Sequence, residues 1–273
     1  MCNACIMEGV KREMLSRRQL FTGAGAAAVT ATAVASGIMA ARPALAQAQG
    51  RVVDLTHVFD PDFPTFDGVP GIEMELAVNF EESGYQLYKV SYYEHSGTHM
   101  DVPLHFSENG DSVEKLDPGQ LIAPLCIVDI TAKAAEDPNA TLDAEDIEAW
   151  ISEHGDIPAG ACVAMHSGWA AKVGDMSFRN DADGNFTFPG FAKSATDLLA
   201  EIGAASIAVD TLSLDPGNSA DFAVHYSWLP SGRFGIECVK NLDQLPAKGA
   251  TVFIGSPTHR GGTGGLARLL AVA

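Results

Sequence analysis

The sequence predicts an α/β fold built as a single domain. Short apolar segments with strand character alternate with helical segments through the second half of the chain. The chain is 47% hydrophobic and 19% charged, which is typical of a globular protein with a substantial core. Its 273 residues contain no internal repeat and no interdomain linker. We therefore expect one α/β domain.

Strands are expected wherever apolar runs are short or where apolar and polar side chains alternate. Apolar and polar side chains alternate at 86–93, and this segment runs directly into a histidine-rich motif that begins at residue 95. We therefore expect the motif to lie at the end of a sheet strand. The predicted strands span residues 52–56, 72–80, 86–93, 126–130, 161–165, 206–210 and 251–254.

Two segments, 141–154 and 191–202, have the apolar periodicity of helices. Acidic residues fill the first turn of the first helix, where the helix dipole favours negative charge. A glycine follows each segment, Gly155 after the first and Gly203 after the second. Both segments therefore have start and stop signals that agree with their periodicity.

Residues 1–46 are expected to be an export signal. Arg17-Arg18 precede an apolar run rich in alanine and glycine, and Ala44-Leu-Ala46 supplies the small residues that a signal peptidase reads. The arginine pair resembles a twin-arginine signal. A retained membrane anchor is the alternative, although a run with so little leucine or isoleucine makes a poor spanning helix. We expect a periplasmic domain at 47–273, outside the membrane, with the twin-arginine machinery as its export partner.

Charge and cysteine content exclude several classes of partner. The net charge of −18 argues against nucleic acid and against anionic membrane surfaces. Cleavage of the signal would leave Cys126, Cys162 and Cys238, an odd number of cysteines on apolar segments. We expect these to be buried free thiols, without a disulfide framework.

Within eleven residues the chain holds three imidazoles and one carboxylate, those of His95, His99, Asp101 and His105. Neutral imidazole and carboxylate are ligands that suit zinc, manganese or iron. Gly97 permits a tight bend, and residues two apart in an extended segment share a face, as His99 and Asp101 would. The pattern predicts a divalent metal site. A solvated histidine-rich loop is the alternative.

Two further ligand candidates, His225 and Glu237, lie much later in the chain. Each taken alone is more simply a hydrogen-bonded structural residue. Glu237, however, lies between apolar residues, where a carboxylate needs a partner to be buried. The glycine cluster at 261–265 lacks a phosphate-loop signature and is interpreted as a structural turn. A serine hydrolase is not expected, because the chain has no Gly-x-Ser-x-Gly elbow.

The string His-x-Gly-Thr-His-x-Asp-x-Pro-x-His-Phe at 95–106 resembles the signature of the metal-dependent cyclase family, which includes bacterial kynurenine formamidase and the isatin hydrolases. The resemblance implies a cyclase-like α/β fold with a mixed barrel-like sheet flanked by helices. The metal ligands that it implies are His95, His99 and Asp101, with His225 and Glu237 completing a two-metal site bridged by Asp101. It also implies that His105 is the acid/base residue. Weaker similarities to the same family occur in the family's order along the rest of the chain, at 54–57, 166–169, 188–190, 210–215, 225–245 and 261–268.

The same resemblance implies a hydrolase that uses metal-activated water. Members of the family hold one or two ions of zinc or manganese. Glu237 stands where isatin hydrolases place a glutamine, which favours the dinuclear, formamidase-like arrangement. We expect cleavage of a carbon–nitrogen bond in an aryl formamide or a cyclic amide. Phe63, Phe66 and Trp169 could stack on an aromatic substrate, although the two phenylalanines are more simply core residues.

Several alternatives remain open at this point. A lactone or ester hydrolase, or an isatin-type hydrolase of cyclic imides, would use the same site. A non-enzymatic alternative is an exported binding protein whose metal only orders a loop. His105 argues against it, because a structural site needs no extra imidazole beside saturated ligands. We also expect a homo-oligomer, although the sequence does not fix the number of subunits.

Overall fold

The structure, a computed structural model, describes residues 50–273, so the expected export signal at 1–46 lies outside the described residues. The described chain forms thirteen strands, six α-helices and six short 3-10 helices. The strands are β1 Val52–Asp54, β2 Ile72–Val78, β3 Leu87–Tyr92, β4 His99–Asp101, β5 Ile122–Asp129, β6 Thr141–Leu142, β7 Cys162–His166, β8 Gly190–Phe191, β9 Ser206–Val209, β10 Phe234–Glu237, β11 Lys248–Gly255, β12 Gly264–Leu266 and β13 Arg268–Val272. The α-helices are α1 Phe80–Ser83, α2 Pro103–Phe106, α3 Thr131–Glu136, α4 Ala144–His154, α5 Lys193–Ile202 and α6 Ala223–Trp228. The 3-10 helices are Val113–Lys115, Pro118–Leu121, Trp169–Lys172, Met176–Phe178, Leu229–Ser231 and Leu242–Gln244.

One mixed sheet of nine strands organises the domain, in the order β1-β13-β11-β5-β7-β9-β10-β4-β12. The four strands β5, β7, β9 and β10 are parallel neighbours at its centre. Antiparallel strands extend the sheet on both sides. The sheet curls into a half-barrel flanked by helices, as the family resemblance implied. The chain is therefore an α/β protein with a mixed sheet.

Both faces of this sheet are buried. On one face, Ile147 and Trp150 of α4, Leu199 of α5 and Trp228 of α6 pack with Val163 of the central strand β7. The opposite face carries a second cluster drawn from strands at the centre and at both ends of the sheet, which contact one another because the sheet curls. Its members include Val53, Met100, Leu125, Val252 and Leu269. Such two-sided burial explains why the central strands are apolar runs instead of alternating segments.

Most predicted elements are present with shifted ends. The first predicted helix begins at Ala144 and not at residue 141, because Asp143 caps it with a capping box while Thr141–Leu142 pairs with β8. The helices end at Gly155 and Gly203 as predicted. The glycine cluster is more than a turn, since Gly264–Leu266 forms strand β12 beside β4.

A sheet strand does lead into the histidine-rich motif, as expected, but it does not belong to the main sheet. Strands β2 and β3 pair only with each other, in a separate two-stranded sheet. The strand that precedes the histidine-rich motif at 95–106 therefore lies outside the nine-stranded sheet. Instead, part of the motif is itself the strand β4, inside the nine-stranded sheet.

One smaller finding concerns the cysteines. Cys126, Cys162 and Cys238 are buried free thiols, which confirms the prediction made for them. Burial raises the pKa of the Cys162 thiol to about 12, so it is unreactive at neutral pH.

Across residues 50–273, no helix combines the length and the apolar character needed to cross a membrane.

Candidate metal centre

Strand β4 places two of the predicted ligands on one face. His99 and Asp101 are 3% and 1% exposed, and Met100 between them points into the core on the opposite face. This is the arrangement expected from their spacing in an extended segment. Gly97 adopts a left-handed φ of 64°, so the chain bends sharply before the strand. The bend brings the His95 ring within 5.4 Å of the His99 ring, measured between centroids.

Strand β10 supplies Glu237 directly opposite His99. In the antiparallel pairing of β10 with β4, Glu237 and His99 are Cα partners. The Glu237 Oε2 atom lies 3.3 Å from the Nε2 atom of His99. The backbone N–H of Leu214 donates to Glu237 Oε1 at 2.9 Å, which fixes the other carboxylate oxygen. Two residues that are distant in sequence are thus held in contact by strand register.

Helix α6 supplies His225. Its Nε2 atom lies 3.6 Å from Asp101 Oδ2 and 3.3 Å from Glu237 Oε1. Its other nitrogen, Nδ1, contacts Asp215 Oδ2 at 2.6 Å. The Asp215 carboxylate also accepts hydrogen bonds from the backbone N–H groups of Val224 and His225. The same carboxylate therefore caps the first turn of the helix and orients the His225 ring. The sequence alone does not identify Asp215 in this role.

The five side chains form two possible ligand sets that share Asp101. One set is His95, His99 and Asp101, and the other is Asp101, His225 and Glu237, with the ligand atoms of each set within 4.8 Å of one another. Within the described residues, His99 Nε2 and Asp101 Oδ2 are buried without a hydrogen-bond partner. Two buried carboxylates, Asp101 and Glu237, also lie in this cluster. Unpaired buried polar atoms and adjacent like charges are costly unless a cation compensates them, so the cluster fits divalent metal.

Burial and mutual charge shift the pKa values of these groups and so decide which of them hold protons. Burial alone would lower the pKa of His99, but the Asp101 carboxylate beside it raises the pKa to about 9. Burial and the Asp101 charge raise the pKa of Glu237. Burial opposes ionisation of Asp101 as well, yet the neighbouring His99 holds the pKa of Asp101 well below its usual range. A cation entering the cluster would displace these protons.

A hydrogen-bonded chain behind His95 fixes its ring. His95 Nδ1 contacts Asp101 Oδ1 at 2.6 Å, and His95 Nε2 contacts the Thr263 hydroxyl at 2.8 Å. That hydroxyl in turn contacts Glu94 Oε2 at 2.6 Å. Thr263 comes from the glycine cluster, where Gly264 allows the approach. A Cβ at Gly264 would clash with the Met100 carbonyl oxygen and lie 2.7 Å from His95 Cε1.

Thr263 and Glu94 were missed in the sequence. Glu94 directly precedes a predicted ligand, but adjacency in sequence says nothing about which way a side chain points. The glycine cluster offered a signal, since glycine often marks close approach of two backbones. The sequence alone names no partner for this cluster, so a turn is the simpler interpretation of it.

His105 lies beside the ligands without belonging to either set. Its ring stacks on that of His95, with centroids 3.6 Å apart and planes 15° apart. Burial lowers the pKa of His105 to about 4. At neutral pH it is therefore an uncharged imidazole that can accept a proton.

A cavity of about 570 Å³ opens onto the cluster. His95, His99, His105, His225 and Glu237 all line it. Five aromatic side chains also line it: Phe66, Tyr92, Tyr93, Phe106 and Phe222. A cavity of this size with aromatic walls and a few convergent polar groups suits a small organic molecule.

Of the three aromatic residues predicted to contact substrate, only Phe66 lines this cavity. Phe63 and Trp169 lie outside it. They are 5% and 3% exposed and pack in a separate core cluster with Phe178 and Phe188. The Trp169 indole N–H donates to the Phe178 carbonyl. Phe106 and Phe222 line the cavity instead: Phe106 directly follows His105, and Phe222 directly precedes the helix that carries His225. Their nearness in sequence to these two histidines was the available signal.

A half-barrel sheet whose buried histidines and carboxylates converge under a cavity, with a neutral imidazole beside them, defines a metal-dependent hydrolase. Comparisons with known proteins agree. The putative cyclase family model matches residues 53–216. The isatin hydrolase of Roseibium aggregatum is 30% identical over 239 residues, which cover 81% of this chain and 91% of the relative. A kynurenine formamidase of Bacillus thuringiensis subsp. konkukian is 24% identical over 191 residues, covering 70% of this chain and 81% of the relative.

Solved structures show the same similarity. An isatin hydrolase bound to the product analogue thioisatinate superposes with a TM-score of 0.78 at 26% identity, covering 100% of this chain and 99% of that one. Isatin hydrolase A from Labrenzia aggregata, bound to benzyl benzoate, gives 0.77 at 32% identity, covering 84% of this chain and 96% of that one. The chain belongs to the cyclase family, as the resemblance in its sequence predicted.

Proposed function

We propose that this chain hydrolyses the carbon–nitrogen bond of a small amide that carries an aromatic ring. The observation that carries the proposal is the position of His105. A neutral imidazole stacks on a predicted ligand, His95, yet stands outside both ligand sets and faces an aromatic-walled cavity. A site that only stored or ordered a metal would have no use for such a group. The relatives named isatin hydrolase and kynurenine formamidase support amide chemistry.

The residues divide the work as follows. His95, His99, Asp101, His225 and Glu237 would hold one or two divalent ions. A divalent ion held there would lower the pKa of a water molecule to about 7 and would polarise the substrate carbonyl. His105, uncharged at neutral pH, takes a proton at a ring nitrogen from the water that attacks the carbonyl carbon, and it returns that proton to the leaving nitrogen as the carbon–nitrogen bond breaks. Phe66, Phe106 and Phe222 hold the aromatic ring of the substrate and keep bulk water out of the cavity.

A cyclic amide of the isatin type is the first substrate to test, because isatin hydrolases from several bacteria match the chain over 80% or more of its length. An N-formyl aryl amine is the second. Glu237 favours it, since a carboxylate here completes a second ligand set, as the formamidase-like arrangement requires. The proposed export of the chain favours an external amide over a cytoplasmic intermediate.

The test couples metal analysis to turnover. Purified protein is assayed against isatin, N-formyl aryl amines and simple lactones, with wild type compared with His105→Ala. We expect turnover of an amide, and we expect His105→Ala to reduce kcat by about 10²–10⁴-fold while metal content stays unchanged. Unchanged turnover with full metal content would remove His105 from the mechanism. Activity confined to lactones would replace the amide assignment.

We further propose zinc or manganese as the bound metal, and periplasmic residence after twin-arginine export. Imidazole and carboxylate ligands without sulfur suit both ions, and elemental analysis of protein loaded in the native host distinguishes them. The arginine pair Arg17-Arg18 and the segment Ala44-Leu-Ala46 support the export proposal. Intact mass of the periplasmic protein should correspond to residues 47–273. A double substitution of Arg17 and Arg18 by lysine should retain the full-length chain in the cytoplasm.

A further inference from the structure

The loop at 58–70 carries Phe66 to the cavity, and a single side chain links its backbone to the rest of the domain. Arg179 donates through Nε to the carbonyl oxygens of Thr65 and Phe66, at 3.1 and 3.0 Å. Its Nη2 atom donates to the Phe66 carbonyl as well, at 2.7 Å. Within the described residues, every other hydrogen bond of this loop joins two of the loop's own residues. The position of the loop backbone therefore depends on one guanidinium.

The same arginine also supports the Phe66 side chain, through a second aromatic ring. Phe66 stacks on Phe186, with ring centroids 4.4 Å apart and planes 25° apart. The guanidinium carbon of Arg179 lies 4.5 Å from the centroid of the Phe186 ring. Arg179 thus contacts both the backbone of Phe66 and the ring on which Phe66 stacks. Neither Arg179 nor Phe186 lines the cavity, so both reach it only through Phe66.

Local hydrogen bonds fix the segment that holds Arg179. The residue directly follows the 3-10 helix Met176–Phe178, and its Nη1 atom donates to Asn180 Oδ1 at 2.7 Å. Asn180 and Phe186 form an antiparallel bridge, and the Thr187 N–H donates to the Arg179 carbonyl at 3.1 Å. A planar guanidinium can hold several acceptors and stack on a ring at the same time. The guanidinium and the Phe186 ring therefore form one unit against which Phe66 rests.

We propose that Arg179 is a positioning residue for substrate selection, which with Phe186 holds Phe66 where the aromatic ring of the substrate meets it. The inference rests on the proposed function, in which Phe66 belongs to the wall that contacts this ring. Aromatic rings attract each other beyond simple burial only at a suitable offset or angle, so a wall that shifts loses this contribution. Loss of Arg179 should therefore weaken binding of the ring and spare binding of the group that contacts the metal.

The experiment measures recognition of the ring without requiring turnover. Benzohydroxamate and acetohydroxamate carry the same metal-binding group, and only the first has an aromatic ring. Their dissociation constants for metal-loaded protein are measured by calorimetry, and the ratio of the two constants defines the ring preference. We expect wild type to prefer benzohydroxamate and Arg179→Gln to lose about 3–10-fold of that preference, as the loss of a well-placed aromatic contact implies. The affinity for acetohydroxamate should not change.

Arg233 provides a matched control, because it makes contacts of the same kind outside the cavity lining. It donates to the carbonyl oxygens of Ala200 and Ala204, each at 3.0 Å. Its guanidinium carbon lies 5.2 Å from the centroid of the Trp228 ring. Arg233→Gln should lower stability without changing the ring preference, and circular dichroism and metal content check the fold of both variants. An equal loss of ring preference in Arg233→Gln and Arg179→Gln would overturn the proposal.

A double-substitution cycle tests whether Arg179 acts through Phe66. In a Phe66→Ala background, Arg179→Gln should have no further effect on the ring preference. Additive losses would overturn the proposal, as would an unchanged ring preference in Arg179→Gln or an equal weakening of both hydroxamates.

The two ligands bind without being hydrolysed, so the test separates this proposal from the proposed reaction. A wild type that shows the ring preference but cleaves no amide would count against the reaction and not against the role of Arg179. Amide turnover without any ring preference would overturn the role of Arg179 and leave the reaction in place.

Discussion

At the scale of single residues, the metal centre depends most on Asp101. Its carboxylate belongs to both ligand sets, and it is 1% exposed beside three imidazoles. Glu237 belongs only to the second set. Substituting one carboxylate at a time therefore shows how many ions bind and which ligand set holds each of them.

Replacing each carboxylate by its amide should give different metal contents. Glu237→Gln leaves His95, His99 and Asp101 intact, so we expect the number of bound ions to fall by one. Asp101→Asn removes a ligand from both sets, so we expect no tightly bound ion. Elemental analysis after desalting measures both, and circular dichroism checks that the variants fold. An unchanged ion count in Glu237→Gln would show that the second set does not hold metal.

Thr263 should act on the metal through His95. Its hydroxyl joins His95 Nε2 to Glu94, and partners of this kind commonly account for a 10–100-fold change in metal affinity. We expect Thr263→Val to weaken the affinity of the His95 set by about that factor, measured by competition with a chelator. Thr196→Val is the control, because Thr196 is also buried and hydrogen-bonded but lies in α5. Equal affinities for Thr263→Val and wild type would contradict the role.

His57 should make folding sensitive to acid. Burial, reinforced by the nearby Lys240 charge, lowers the pKa of His57 to about 4, against 6.5 in the unfolded chain. The unfolded chain therefore binds this proton first. The folded state loses stability as the pH falls from about 6.5 towards 4, and it loses nothing above that window.

The measurement compares His57→Gln with wild type by urea unfolding at pH 7 and pH 5. Because the ring is partly exposed, we expect the wild type to lose about 1 kcal/mol more than the variant between these pH values. Metal-free protein is used in both cases, so that ligand protonation cancels in the comparison. Parallel losses in the two proteins would show that His57 is not the group responsible.

At the scale of elements, helix α4 shows how local signals set a boundary. Asp143 accepts the Asp146 N–H, and the Asp146 carboxylate accepts the Asp143 N–H, which closes a capping box. The Lys133 Nζ atom lies 2.9 Å from Asp143 Oδ2 and 2.6 Å from Asp146 Oδ2. This cap, together with the pairing of β6 with β8, overrides the apolar periodicity that suggested an earlier start.

Loss of the cap should lower the stability of the domain. We expect Asp143→Ala to reduce the free energy of unfolding by about 1–2 kcal/mol, measured by urea denaturation. Glu148→Ala, at an exposed position of the same helix, should change it by less than about 0.5 kcal/mol. A similar effect of both substitutions would mean that overall helix propensity, and not the cap, accounts for the loss.

At the scale of the whole molecule, the α/β class and the convergence of His95, His99 and Asp101 could be predicted because both depend on local patterns, whereas His225 and Glu237 were expected only from the family resemblance. His99 and Asp101 share a face as soon as the segment is extended. Pairings between distant segments could not be predicted in the same way. Nothing in the sequence of β2 and β3 shows that they leave the main sheet, or that Thr263 returns to His95. The same holds for Phe63 and Trp169, whose aromatic character suits a core and a pocket equally well.

The pairing of Glu237 with His99 has a consequence for how the protein matures. The two residues face each other only when β10 and β4 are in register, and a slip by one position would turn Glu237 to the other side of the sheet. Pairing between such remote segments belongs to the slow part of folding. Loading of the ligand set that contains Glu237 would therefore require this register, so the occupancy of that set would report the fraction of chains in which β10 and β4 are correctly paired.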